Sequence, residues 1–168
     1  HLALPQAVSR VWRISVGVGA SRDRRFVATP VVVGGVVFVM DTEASVSAIR
    51  ATDGTQLWQR QVVPVFEERG AIGGGLAVDS GRLFVSTAYG DLLSLDLDSG
   101  ATVWTRRIGL PLRGAPTMAD GRAFVLSNDN QLHAVDAVTG EILWNHVGIQ
   151  EVAGLVGGAS AAVAGDTV

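Results

Sequence analysis

The sequence predicts an all-β fold built from repeated four-stranded antiparallel blades, that is, part of a β-propeller. The first observation is a set of four tryptophans at intervals of 46, 46 and 40 residues, about the length of one blade. The second is that three phenylalanines repeat at the same intervals of 46 and 40. The third is a composition of many Val and 21 Gly, typical of short strands joined by tight turns. The repeated aromatics are Trp12, Trp58, Trp104 and Trp144, with Phe38, Phe84 and Phe124.

Aligning the repeats predicts three complete blades, over 28–62, 74–108 and 114–147. The first has strands over about 29–33, 36–41, 46–50 and 55–62. In the second they cover about 75–78, 82–87, 91–96 and 101–108, and in the third about 115–119, 122–127, 131–136 and 141–147. One such sheet cannot bury both of its faces, so neighbouring blades must stack.

A glycine precedes each of the last three tryptophans by four residues: Gly54, Gly100 and Gly140. We expect these glycines to supply the left-handed residue of a tight turn. Asp96 and Asp136 lie in the same turns and can accept hydrogen bonds from turn amides, whereas Arg50 replaces them in the first blade. The tryptophans are predicted to be structural wedges between stacked blades, with no cofactor required.

The two ends of the chain resemble incomplete blades. Residues 10–17 resemble the last strand of a preceding blade, and 158–168 the start of a further one. We therefore expect a single partial propeller over 1–168, a fragment of an eight-bladed ring. Unpaired blade edges favour association with another strand, so self-association of the fragment through these edges is one hypothesis.

Composition excludes several classes of function. The formal net charge is −3, which gives no reason to expect a nucleic-acid partner. The absence of Cys excludes disulfides, thiolate metal sites and a Cys nucleophile. No window of 18 uncharged apolar residues predicts a membrane-spanning helix, and the first residues do not resemble an export signal.

The run from Ala134 to Trp144, with Asp136, Thr139 and Gly140 between, resembles the tryptophan-docking repeat of pyrroloquinoline-quinone-type propellers. Two branches share that repeat: quinone-dependent dehydrogenases of the periplasm, and the non-enzymatic outer-membrane assembly lipoprotein family BamB. The dehydrogenase branch implies a quinone with calcium, a catalytic Asp and often a vicinal Cys pair. The chain has no Cys and no recurring oxygen-ligand set outside the turns, so no cofactor, metal or catalytic residue is assigned. This branch remains the alternative, together with a generic protein-binding propeller.

Several stretches outside the generic repeat are similar to alphaproteobacterial BamB. They are Val11 to Gly17, Ser21 to Arg25, Gly73 to Leu76, Leu110 to Pro116 and Gly148 to Glu151. The resemblance implies a scaffold at the periplasmic face of the outer membrane, with the barrel-forming subunit BamA, other subunits of the machinery and nascent barrel proteins as partners. The family's lipid-bearing Cys is absent from this chain, consistent with truncation, so membrane association would need an anchor that the chain lacks.

The same resemblance implies that Leu110, Leu112 and Arg113 contact BamA. The family's second contact, an acidic pair before the following blade, has no counterpart in 152–158. Two Leu flanking a Pro are unusually apolar for a solvated loop, and Arg is common among interface anchors. The alternative is that both Leu tuck under their own blades while Arg113 packs on a neighbouring Trp.

The remaining polar candidates are weaker. His1, His133 and His146 are the only imidazoles, and two histidines do not make a zinc site. The cluster of Arg22, Arg24 and Arg25 could face lipid headgroups or a partner carboxylate, or be a solvated loop. Exposed strand edges could bind an extended peptide of an unfolded barrel protein.

Overall fold

The computed structural model describes residues 9–19, 28–64, 73–148 and 160–168. In these residues twelve strands form three antiparallel sheets of four strands, each in chain order. Blade 1 contains β1 (Val31–Val33), β2 (Val36–Met40), β3 (Ser45–Arg50) and β4 (Gln56–Gln61). Blade 2 contains β5 (Gly74–Asp79), β6 (Arg82–Thr87), β7 (Asp91–Asp96) and β8 (Thr102–Arg107). Blade 3 contains β9 (Thr117–Ala119), β10 (Arg122–Leu126), β11 (Gln131–Asp136) and β12 (Ile142–Val147).

The predicted all-β class with four-stranded antiparallel blades is confirmed. Strands β1 and β9 begin two residues later than predicted, at Val31 and Thr117. Each follows a proline, Pro30 or Pro116, which has no N–H to donate to a strand ladder. The first two strands of blade 2 are joined by a two-residue turn whose φ angles are both positive, the geometry that suits the right-handed twist of a hairpin.

Within each blade a Phe on the second strand and a Trp on the fourth meet across a small residue on the third. Phe38 pairs with Ala48 and Ala48 with Trp58, and the two ring centroids lie 5.9 Å apart. Blades 2 and 3 repeat the arrangement, with centroids 6.0 and 5.9 Å apart. The small middle residue leaves the space in which the two rings make a tilted aromatic contact. The three sets are Phe38, Ala48 and Trp58; Phe84, Ser94 and Trp104; and Phe124, Ala134 and Trp144.

The hydrophobic core consists of two clusters that lie between neighbouring blades. One joins blades 1 and 2 through side chains such as Met40, Val46, Leu83 and Leu95. The other joins blades 2 and 3, with Phe84 packed among blade 3 residues. Each interior therefore belongs to two sheets at once, which is the physical reason that the blades stack.

The two ends of the chain lie outside the three sheets. Residues 10–17 form no strand among the described residues, and the expectation that they end a preceding blade stays a prediction. Residues 160–168 contain one isolated bridge, between Ala164 and Thr167, around a turn. Ser160 and Thr117 join this segment to blade 3, since Ser160 donates to the carbonyl of Ala115 and Thr117 to that of Ala161. The described residues include no helix long and apolar enough to cross a membrane.

Candidate functional site

Each of the first three tryptophans of the repeat docks on the blade that follows it. Its indole N–H donates to a main-chain carbonyl directly after the third strand of that next blade. The hydrogen bonds run from Trp12 to Ala51 at 2.8 Å, from Trp58 to Leu97 at 3.1 Å and from Trp104 to Ala137 at 3.2 Å. Trp144, which is 40% exposed, contacts Phe124 of its own blade. The recurring indole thus ties one blade to the next.

The glycine of each Trp-bearing turn lies beneath the indole of the preceding blade, not beneath the Trp four residues later. At Gly100, where φ is +69°, an added Cβ would lie 2.6 Å from Cε3 of Trp58. Gly54 and Gly140 have the same relation to Trp12 and Trp104, at 2.8 and 2.7 Å. These positions therefore favour glycine for two reasons: the backbone is left-handed, and the neighbouring indole leaves no space for a Cβ.

Asp96 and Asp136 organise the same turns. The carboxylate of Asp96 accepts hydrogen bonds from the hydroxyl and the backbone N–H of Ser99, and these bonds lower the pKa of Asp96. Backbone and hydroxyl hydrogen bonds from Thr139 likewise lower the pKa of Asp136. In blade 1, Asp53 takes over this role and pairs with Arg50 at 3.1 Å. The acidic residues of the repeat are thus occupied by turn formation.

The loop between β8 and β9 is held against blade 3 by main-chain hydrogen bonds. Leu112 forms an isolated bridge with Ser127, and the N–H of Arg113 donates to the carbonyl of Leu126 at 2.9 Å. The N–H of Asn128 donates to the carbonyl of Pro111 at 2.9 Å. The loop therefore has a defined conformation on the rim of blades 2 and 3.

The three residues predicted to contact a partner have different environments in the structure. The side chain of Leu112 is 1% exposed and lies in the cluster between blades 2 and 3, so it packs in the core, and its contact with a partner stays a prediction. Leu110 is 50% exposed, contrary to the alternative that both leucines are buried. Arg113 donates to the carbonyl of Asn128 at 2.8 Å, rather than packing on a Trp. The loop thus presents Leu110 and Arg113, while Leu112 anchors it.

A cavity of about 250 Å³ lies beside Leu110 and is lined by residues of blades 2 and 3. Its apolar side is formed by Ile108 and Leu110, and its polar side includes Asp129, Gln131 and His133. No sequence pattern singles out Asp129, because the cavity is assembled from parts of two blades that lie about twenty residues apart in the chain.

Two ionisable groups of the cavity have altered pKa values. Burial opposes ionisation of Asp129, but hydrogen bonds from Ser127 and Gln131 outweigh it and lower the pKa of the carboxyl. Burial lowers the pKa of His133, against the attraction of Asp129. At neutral pH the cavity therefore holds a carboxylate and a neutral imidazole.

Among the described residues no group of three or more His, Asp or Glu side chains is placed to hold a metal ion. His133 is buried on β11, while His146 is exposed on β12.

Other residues singled out in the sequence fall outside the described part of the chain. They include His1, the cluster of Arg22, Arg24 and Arg25, the stretch 149–151 and the segment 152–158.

The fold and its docking geometry define the class: the chain is a propeller protein of the pyrroloquinoline-quinone repeat type. A family model described as "Outer membrane protein assembly factor BamB" matches residues 9–71 and 42–168. The chain therefore belongs to the BamB family.

Individual relatives agree with this assignment. BamB of Escherichia coli (strain K12) is 30% identical over 139 residues, which is 79% of this chain and 33% of that protein. BamB of Burkholderia pseudomallei is 29% identical over 139 residues, covering 83% of this chain and 34% of the relative. The chain thus spans about a third of the length of the curated relatives it matches.

Solved structures give the same fold. BamB from Moraxella catarrhalis matches with a TM-score of 0.57 and 28% identity, over 69% of this chain and 38% of that one. A quinohemoprotein alcohol dehydrogenase from Comamonas testosteroni matches with a TM-score of 0.64 and 28% identity, over 74% of this chain and 21% of that one. Both branches of the repeat therefore have this fold, so the fold alone does not assign the chain to one of them. The curated relatives named above belong to the BamB branch.

Proposed function

We propose that the protein is a non-catalytic scaffold of the outer-membrane β-barrel assembly machinery. It acts at the periplasmic face of the outer membrane and binds the barrel-forming subunit BamA through the loop between β8 and β9. Other subunits of the machinery, and unfolded barrel proteins, are further partners within the same proposal. Family membership supports the role, since the matching family is described as an outer membrane protein assembly factor.

The observation that supports contact with BamA is that one part of the loop is buried while another part is exposed. Main-chain hydrogen bonds and the buried Leu112 hold the loop in place, while Leu110 keeps half of its surface exposed and the guanidinium of Arg113 donates to the carbonyl of Asn128. An apolar side chain on a pre-ordered loop costs little entropy to bury against a partner. Arg113 adds a donor that can make charge-assisted hydrogen bonds to a partner carboxylate.

A loop held in this way can be tested by substitutions that leave the blades intact. In the full-length protein, Leu110→Ser combined with Arg113→Ala should reduce recovery of BamA in a co-purification at least about tenfold, as loss of an interface anchor does. Leu143→Ser is the matched control, because Leu143 is 48% exposed but lies on the outer strand β12. Equal recovery with the loop variant and the wild type would refute the proposal, and loss with Leu143→Ser alone would place the contact on the blade edge.

A further inference from the structure

We propose that the cavity beside Leu110 is a receptor for one basic side chain, arginine or lysine, of the polypeptide that binds the loop. The inference rests on the proposed function, because the same partner would bring that side chain. The cavity would supply a second contact besides that of Arg113, and this contact would use the negative charge of Asp129. No sequence pattern indicates it.

The first support is a carboxylate that pairs with no cation among the described residues. Asp129 lines the cavity, and its carboxylate accepts hydrogen bonds from two neutral donors, the hydroxyl of Ser127 and the amide of Gln131. Among the described residues Asp129 takes part in no ion pair, and no arginine lines the cavity. Arg113, the basic side chain of the adjoining loop, donates to the carbonyl of Asn128 instead. A partially enclosed carboxylate of this kind favours an incoming cation.

The second support is the absence of a competing positive charge on the same wall. His133 lines the cavity and is 8% exposed, and burial lowers the pKa of its imidazole, so the ring is neutral at neutral pH. A guanidinium has five N–H donors and an ammonium has three, so either can donate to the Asp129 carboxylate without repulsion from this wall.

The third support is the size and polarity of the cavity. Its volume of about 250 Å³ is below the usual range for sites that enclose a drug-sized molecule. One wall is apolar, from Ile108 and Leu110, and the other is polar. Arginine and lysine match this division, because their aliphatic stems lie along apolar surface while the charged end reaches a polar group.

The test uses the full-length protein and the purified barrel-forming subunit, with affinity measured by calorimetry. Asp129→Asn removes the charge and keeps a similar shape, and it should weaken binding by about tenfold or more, as expected for loss of a charge-assisted hydrogen bond. Asp120→Asn is the matched control, because Asp120 is exposed in the turn between β9 and β10, and Asn tolerates its φ of +48°. Unchanged thermal unfolding of both variants shows that the blades are intact.

Each basic residue of the subunit is then replaced by Gln and combined with Asp129→Asn in a double-mutant cycle. Non-additive effects with one such residue support the proposal. The proposal is overturned if Asp129→Asn binds like the wild type while Leu110→Ser loses binding, a result that leaves the proposed function standing. Coupling of Asp129→Asn to Arg113→Ala alone would also overturn it, since the cavity would then serve the chain's own arginine. Absence of binding by the wild type would instead refute the proposed function, and the receptor with it.

Discussion

Replacing Gly100 by Ala tests the docking of one blade on the next. The backbone cost comes from the φ of +69° and amounts to roughly 1–2 kcal/mol for a residue with a Cβ. The packing cost comes from a Cβ placed 2.6 Å from Cε3 of Trp58, well inside the roughly 3.5–4.0 Å of a comfortable carbon contact. The indole is held by its hydrogen bond to Leu97 and by Phe38, so it cannot withdraw freely, and such overpacking costs about 1–3 kcal/mol. We expect Gly100→Ala to lower the free energy of unfolding by about 2–5 kcal/mol.

Gly81→Ala is the control for this substitution. Gly81 has a φ of +73°, but a Cβ added there meets no atom within 4 Å. It should therefore cost only the backbone part, roughly 1–2 kcal/mol. Urea denaturation of the full-length protein, followed by far-ultraviolet circular dichroism, measures both variants on the same scale.

The test of the docking is the difference between the losses in free energy of unfolding caused by Gly100→Ala and by Gly81→Ala. If Gly100→Ala costs no more than Gly81→Ala, the indole does not pack on Gly100 as described. A second check repeats both substitutions in a Trp58→Leu background, where the extra cost at Gly100 should fall to less than about 0.5 kcal/mol because the ring is gone. Persistence of the full difference in that background would also contradict the docking.

Three further predictions concern other parts of the structure. Leu112→Ala should lower the free energy of unfolding by about 2–5 kcal/mol, whereas Leu110→Ala should change it by less than about 0.5 kcal/mol in the same denaturation assay. Ser94→Ala should raise stability by about 1 kcal/mol, because the buried Ser94 hydroxyl has no hydrogen-bond partner among the described residues. Because folding lowers the pKa of Asp96 and Asp136, their stabilisation is present above the ordinary carboxyl value of 3.8 and is lost as the pH falls below it. Thermal unfolding midpoints measured between neutral and acidic pH should therefore fall less steeply when both are replaced by Asn.

The sequence was sufficient to predict the strands because the information for them is local. Val, Leu and Phe alternate with smaller or polar residues, and each hairpin is marked by a turn residue such as Gly81 or Gly100. The spacing of aromatics also indicated that a Trp is part of every repeat. It did not indicate which glycine the Trp would meet, because Gly100 lies four residues before Trp104 in the chain yet packs against Trp58 of another blade.

The loop between β8 and β9 shows a feature that the sequence does not determine. Leu110 and Leu112 flank Pro111 and have the same expected role, and nothing in the sequence indicates which of the two side chains is buried. The chain bends at Gly109 and Leu110 before the bridge at Leu112, and this bend sends one leucine outward and the other into the core. The cavity with Asp129 and His133 was missed for a related reason, since its walls come from two blades.

The interior contacts between blades determine the shape of the loop between β8 and β9. Its first residues follow β8 of blade 2 and its last residues pair with blade 3, so its shape depends on how these two sheets sit against each other. That relation is maintained by the hydrogen bond from Trp104 to Ala137 and by the buried Leu112. Ordering a flexible loop would subtract from any binding free energy, whereas a loop already ordered by the core does not carry that cost. Under the proposed function the repeated indole would therefore act on recognition as well as on stability, because it helps to keep Leu110 and the neighbouring cavity in one arrangement.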